Sequence, residues 1–358
     1  MAVCLSPNGT TLFVSHQRAQ EVLVGTVRGV ATIGRVSDNR WEVVRESLTD
    51  CHIGSLMIEP ASGLVFAGAH GGTLYASSDL GKTWTPRNKG ITHDHIYCLS
   101  YAQVAGKAVL YAGTEPAHLY RSDDLGESWH EIPGIRNVPS VAKWTFPAPP
   151  HIGHVKNIAF DPSDARTVYV SIEQGGLLRS CDGGTSWSEL QGFHDDVHRL
   201  AVKQSDPKCL YMANGDGLFH SRDGGANWAQ LTTRSMRIGY PDGLVIHPER
   251  EDLMFMSGGI DAPSKWRANR TANSRIARSR DGAKTWEMLE HGLPEHLRAN
   301  TEALMMEVWD RSFALFVGTT DGEIYYSDDE GDHWSKIISG LAPVSKGRHY
   351  RNLNEVAA

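Results

Sequence analysis

Short apolar runs alternate along nearly the whole chain with turns rich in Gly, Asp and Ser. The runs LVFAGAHGG, VLYAGTEPA, TVYVSIEQG, CLYMANGDG, LMFMSGGID and ALFVGTTDG each carry β-branched or aromatic residues and end in small ones. Such runs, bounded by Gly and Asp, predict strands closed by tight turns. A second series precedes them: HIGSLMI (52–58), HIYCLSY (95–101), HVKNIAF (154–160), DVHRLAV (196–202), YPDGLVI (240–246) and NTEALMM (300–306). After each pair comes one further pattern, in SSDLGKTW (77–84), SDDLGESW (122–129), SCDGGTSW (180–187), SRDGGANW (221–228), SRDGAKTW (279–286) and SDDEGDHW (327–334). A degenerate copy without the Gly, RVSDNRW, ends at Trp41.

The tryptophans closing these copies are spaced 43, 45, 58, 41, 58 and 48 residues apart. Each interval has room for four strands, and about 40–45 residues per four-stranded unit is the spacing of propeller blades. The fold expected is all-β: a seven-bladed β-propeller over residues 1–340, with 341–358 as a C-terminal surface extension. In the repeated turn, Asp accepts hydrogen bonds from turn amides, Gly supplies positive φ, Ser or Thr adds a local hydrogen bond, and Trp packs between sheets. The opening MAVCLSPNGTTLFVSH resembles an inner strand followed by a second strand, and one terminal strand is expected to complete the last blade.

The six turns resemble the Asp-box, or BNR, repeats of sialidases, sortilin-type receptor propellers and photosystem assembly factors. That resemblance implies the fold over about residues 20–340 and leaves activity open, because enzymes and binding proteins share the box. A sialidase would add three arginines for the substrate carboxylate, a Tyr–Glu nucleophile pair and an acidic acid/base group. Its opening Phe-Arg-Ile-Pro motif is absent.

A net charge of −7 argues against general affinity for nucleic acid or anionic membranes. The first residues lack the pattern of a signal peptide, and no apolar run is long enough for a spanning helix. Cys4, Cys51, Cys98, Cys181 and Cys209 have no C-x-x-C spacing and read as free thiols, mostly buried, of a reducing cytoplasm. No Walker loop, GxSxG elbow or HExxH helix is present.

Chain direction then locates candidate chemistry. If the repeated turn joins third and fourth strands, the inner-strand starts and the hairpins between second and third strands share the opposite face. Three successive inner strands open with His52, His95 and His154, and the next three offer Asp196, Tyr240 and Asn300. Two residues on come Gly54, Tyr97, Lys156, His198, Asp242 and Glu302. His52, His95, His154 and His198 are the candidate ligands of a divalent zinc, iron or manganese ion, with His70, Glu115, Glu173 and Asp242 around them. Tyr97, Lys156, Arg199, Tyr240 and Glu302 are candidate acid/base or anion-holding groups. His93 and His194, in HDH and HDDVH, precede the strands and are left out of the ligand set.

Two insertions, 137–154 with Trp144 and Phe146 and 258–275 with Lys265, Trp266, Arg267, Arg270 and Arg275, fall on the same face and read as a lid over a small anionic or aromatic ligand. The expected function is a metal-dependent hydrolase, lyase or oxidative-cleavage enzyme acting on a small molecule. The alternatives are a non-catalytic protein-interaction scaffold, or a sialidase- or xyloglucanase-like glycosidase with two acids, among Glu115, Glu173, Asp242 and Glu302, roughly 5–9.5 Å apart.

Overall fold

The computed structural model describes residues 1–37, 40–231, 236–347 and 349–354. Seven sheets form a β-propeller. Blade 2 runs His52–Ile58, Val65–His70, Leu74–Ser77 and Thr85–Pro86 from the axis outward, with antiparallel neighbours. Blades 3 to 6 repeat the plan, with inner strands at His95–Val104, His154–Phe160, Val197–Val202 and Tyr240–Ile246.

Each repeated turn joins third strand to fourth, and its geometry is nearly constant. In blade 3, Ser122 Oγ donates to Asp124 Oδ1 at 2.7 Å and accepts from the Gly126 amide at 2.8 Å. Asp124 also accepts from the amide and hydroxyl of Ser128 at 2.9 and 2.6 Å. The blade 2 turn has the same four bonds, made by Ser77, Asp79, Gly81 and Thr83 at 2.7–2.8 Å. Two successive residues take positive φ, Leu125 at 56° and Gly126 at 81°, so the second is Gly in five of the six intact copies. Ala283, at φ 68°, stands there in the sixth. Asp38 and Asn39 of the degenerate copy lie outside the described residues.

The seven closing tryptophans divide evenly among seven apolar cores between adjacent blades. Trp129, for example, packs with Phe66 and Leu74 of blade 2 and Leu110 and Tyr120 of blade 3. Trp41 sits with Phe316 and Tyr326 where blade 1 meets blade 7. Burying a large ring at every seam places most of the apolar surface between sheets and leaves the axis for polar groups.

A terminal strand completes the last blade, as the sequence predicts, and the N-terminus supplies a strand to both end blades. Ala2–Leu5 is innermost in blade 1 and runs parallel to Glu21–Thr26. Leu12–Ser15 does not follow it as a second strand but lines Ala303–Trp309 in blade 7, also in parallel. The segment between them enters the channel: the Asn8 and Thr10 amides donate to Gly54 O and Leu56 O. The tail departs from expectation as well. Val344, Ser345 and Lys346 are buried in the channel, where a surface extension was expected. The polar sequence SKGRHY reads as solvent-facing, yet Lys346 and His349 in it meet buried acids.

Of the five cysteines, all free, Cys4, Cys98 and Cys209 are buried, Cys51 is intermediate and Cys181 is exposed. No helix among the described residues is long and apolar enough to cross a membrane.

Candidate functional site at the channel mouth

The inner strands of blades 2 to 6 begin at one end of the channel, and each carries a register shift at the same place. The irregularities fall between Ile53 and Ser55, Ile96 and Cys98, Val155 and Asn157, Val197 and Arg199, and Pro241 and Gly243. Gly54, Tyr97, Lys156, His198 and Asp242 therefore occupy bulges, where an extra residue re-aims its side chain. The bulges gather both sequence rings, the strand starts and the positions two residues on, into one polar cluster.

The cluster has a rim and a centre. At the rim, His52 pairs with His70 across blade 2, and His95 with Glu115 across blade 3. The His70 and His95 rings lie 4.9 Å apart, and Glu115 is 3.8 Å from His70 Nε2, 3.9 Å from His95 Nδ1 and 3.3 Å from His154 Nδ1. Burial opposes ionisation of Glu115, but hydrogen bonds from His154 and His70 outweigh it and hold the carboxyl well below the usual range. His52 Nε2 meets Ser345 O at 2.8 Å, and burial pushes its pKa down to about 4.

At the centre, His154 Nε2 is 2.8 Å from Glu173 Oε2, and the Tyr97 ring lies 3.8 Å from the His154 ring. Lys156, whose pKa burial pushes down to about 8, donates to Asn8 Oδ1 at 2.8 Å and lies 3.7 Å from Glu173. Tyr240 donates to Asp196 Oδ2 at 3.1 Å, and His198 Nδ1 donates to Pro241 O at 2.7 Å. Arg199 donates to Pro7 O at 2.8 Å, toward the N-terminal loop, and burial lowers its pKa to about 10. Glu302 Oε2 accepts from the Lys346 amide at 2.7 Å and from Ser345 Oγ at 3.1 Å, while its Oε1 lies 3.2 Å from His349 Nδ1. The Lys346 ammonium bonds Asp242 and lies 3.4 Å from Glu173. Burial opposes ionisation of Asp242, and the charge of Lys346 overcomes it.

The four histidines read from the sequence as ligands thus line one mouth without converging on one point. Among the described residues, two groups have three ligand atoms within 4.8 Å of one another: His70, His95 and Glu115, and Glu173, Asp196 and His198. No two of His52, His95, His154 and His198 share a group. His70, Glu115 and Glu173, which the sequence set around the ligands, enter the groups themselves. Tyr97, Lys156, Tyr240 and Glu302 are buried behind the rim. Sequence reasoning missed Asn8 and the tail residues Ser345, Lys346 and His349, which nothing in their local pattern marks.

Both insertions lean over the mouth. Phe146 lies 5.0 Å from the His154 ring and 6.1 Å from His349. The helix Pro263–Asn269 buries Trp266 against Tyr240 and His349, and Leu353 of the tail helix His349–Asn354 joins that core. A cavity of about 300 Å³ opens between Gly9–Leu12 and the inner strands, with Arg199 in its lining.

No protein-family model matches the chain, and a comparison with curated protein sequences gives no match. Solved structures with the same fold are numerous. An ancestral GH74 enzyme superposes with a TM-score of 0.61 at 16% identity, over 81% of this chain and 39% of that one. The GH74 enzyme of Niastella koreensis gives 0.64 at 17%, over 93% and 55%. The chain therefore spans about two fifths to just over half of these enzymes. YCF48 bound to a D1 peptide gives 0.59 at 16%, over 90% of this chain and 95% of that one. At such identities the likeness establishes the propeller fold.

Proposed function

We propose that the protein is a metal-dependent enzyme whose ion is held at the channel rim by His70, His95 and Glu115, and whose substrate is a small anionic molecule. One observation carries this reading: the three side chains offer ligand atoms within 4.8 Å of one another at a half-buried place, and His95 Nδ1, shielded from water, has no hydrogen-bond partner. Two imidazoles and a carboxylate suit zinc, iron or manganese and leave coordination positions for water or substrate. Such an ion supplies Lewis acidity and a water of lowered pKa, which serve hydrolysis or elimination.

The chain's own groups orient this set. His154, fixed by Glu173, steadies Glu115, and Tyr97 lies against the rings of both His154 and His70. Lys265, Arg267 and Arg270, exposed on the segment over the mouth, favour an anionic substrate. Calorimetric titration of Zn²⁺ or Mn²⁺ into chelator-treated protein tests the reading. His70→Ala and Glu115→Gln are expected to abolish rim binding, and undiminished binding in both would overturn it.

A second reading rests on a different observation. The mouth already holds a buried stretch of this chain, residues 344–347, and a propeller of similar length, YCF48, is seen with a D1 peptide. A scaffold function predicts that a labelled peptide of sequence 342–354 binds a variant truncated after Leu341 without added metal. The glycosidase reading, which the GH74 likeness would favour, needs two acids facing an open cleft. Glu173, Asp242 and Glu302 are instead buried and engaged by His154, Lys346 and His349, which leaves Glu115, beside His70 and His154, as the one of the four candidate acids at the half-buried rim.

A further inference from the structure

Behind the rim, Glu173, Asp196 and His198 are buried, and each leaves one polar atom without a hydrogen-bond partner: Glu173 Oε1, Asp196 Oδ1 and His198 Nε2. These are groups that a protein interior normally satisfies, because leaving them bare costs about 1–3 kcal/mol each. The remaining atoms are committed. Glu173 Oε2 is bonded to His154, Asp196 Oδ2 accepts from Tyr240, and His198 Nδ1 meets the Pro241 carbonyl.

The last of these contacts fixes the imidazole. A carbonyl can only accept, so Nδ1 carries the proton, and in the neutral ring Nε2 presents a lone pair to the interior. Asp196 Oδ1 lies 3.3 Å from Nε2 without a hydrogen bond between them. Against the effect of burial, Asp196 raises the pKa of His198, and in the neutral ring the two lone pairs would oppose each other. A cation between them removes the conflict. A ring fixed through Nδ1–H to a carbonyl is also the arrangement that presents Nε2 to a metal.

Four buried carboxylates, Glu173, Asp196, Asp242 and Glu302, stand with three buried cations, Lys156, Lys346 and Arg199. Against the effect of burial, the acids beside His154 and His198 raise the pKa of both rings, as they would draw any cation. Lys346 does not fill the gap. Its ammonium is bonded to Asp242, and its 3.4 Å approach to Glu173 Oε1 makes no hydrogen bond.

We infer that Glu173, Asp196 and His198 form a second, internal site for a divalent first-row cation, zinc or manganese by its donors, that ties blade 4 to blade 5. This site shares no residue with the rim group His70–His95–Glu115 and stands or falls separately from it. Being buried, it exchanges its ion slowly, whereas the half-buried rim exchanges fast.

The test is elemental analysis of protein purified without a histidine tag from medium supplemented with Zn²⁺ or Mn²⁺, before and after brief chelation. The inference expects one equivalent that survives chelation, is kept in His95→Ala, and is lost in both His198→Gln and Asp196→Asn. Absence of a slowly exchanging equivalent, or its retention in His198→Gln and Asp196→Asn, would overturn it. Crystals of the unaltered protein grown with Zn²⁺ or Mn²⁺ give a readout that needs no variant. An anomalous peak bounded by Glu173, Asp196 and His198 supports the site, and featureless density there, with His198 protonated on both nitrogens, sinks it. Loss of metal in His95→Ala alone would sustain the rim centre and remove this one.

Discussion

The two ends of the propeller are built by opposite rules. At the end carrying the repeated turns, six copies of one eight-residue pattern make the same hydrogen bonds, as Ser77–Asp79 and Ser122–Asp124 illustrate at 2.8 and 2.7 Å. At the mouth no two blades present the same pair of residues. His154 and Lys156, Asp196 and His198, and Tyr240 and Asp242 occupy equivalent strand starts. The repeated end spends its polar groups on local closure, and the divergent end leaves some of them, Glu173 Oε1, Asp196 Oδ1 and His198 Nε2, without a partner. Repetition marks what every blade needs to fold, and divergence marks where one blade can differ without unfolding its neighbours.

The sharpest break on the repeated side is Trp129→Ala. Emptying the seam between blades 2 and 3 should cost about 3–5 kcal/mol in chemical denaturation, as deletion of a buried aromatic does. On the mouth side, Lys346→Met keeps the stem but removes the charge facing Asp242 and Glu173. A loss of about 3 kcal/mol is expected from the unpaired buried carboxylates, with faster proteolysis of the tail; an unchanged denaturation midpoint would show that the tail does not hold the mouth.

Within one turn, Ser122→Ala removes the acceptor of the Gly126 amide and a donor to Asp124, and should cost about 1–2 kcal/mol without altering metal content. The turn acids also set a pH window. Hydrogen bonds from the following Ser, Asn or Thr side chain and amide depress Asp182, Asp223 and Asp281 to about 2, below their ordinary 3.8. A depressed carboxyl contributes fully above its unfolded pKa and loses that contribution as pH falls through the folded one. Thermal midpoints of wild type and Asp182→Asn should therefore differ at pH 5 and converge toward pH 2; a constant difference would contradict the assignment.

The smallest effect concerns Ala283, which holds the left-handed position that Gly fills in the other intact turns. Ala283→Gly relieves backbone strain at some entropic cost in the unfolded chain, so a stabilisation below about 1 kcal/mol is expected. Destabilisation beyond that would show that the Ala283 methyl matters more for packing than the turn does for strain.

The propeller was legible because each turn closes within eight residues, and a pattern so local survives in sequence unaided. The mouth was legible in part. Strand starts such as His95 and His154 and strand ends such as Glu115 and Glu173 align on their blades, and the topology brings them together. Their grouping was not legible, because bulges re-aim Tyr97, Lys156, His198 and Asp242 relative to a strict two-residue period. Nor was the closure. Lys346 meets acids from blades 4 and 6, and Asn8 meets Lys156, across separations that leave no local trace.

The most direct test of the rim centre is plasma mass spectrometry of wild type and His95→Ala, both purified without a histidine tag and compared per mole of folded protein. The account predicts one equivalent more of zinc, iron or manganese in the wild type than in the variant, removable by brief chelation. Equal metal content in the two proteins would contradict a centre at His70, His95 and Glu115.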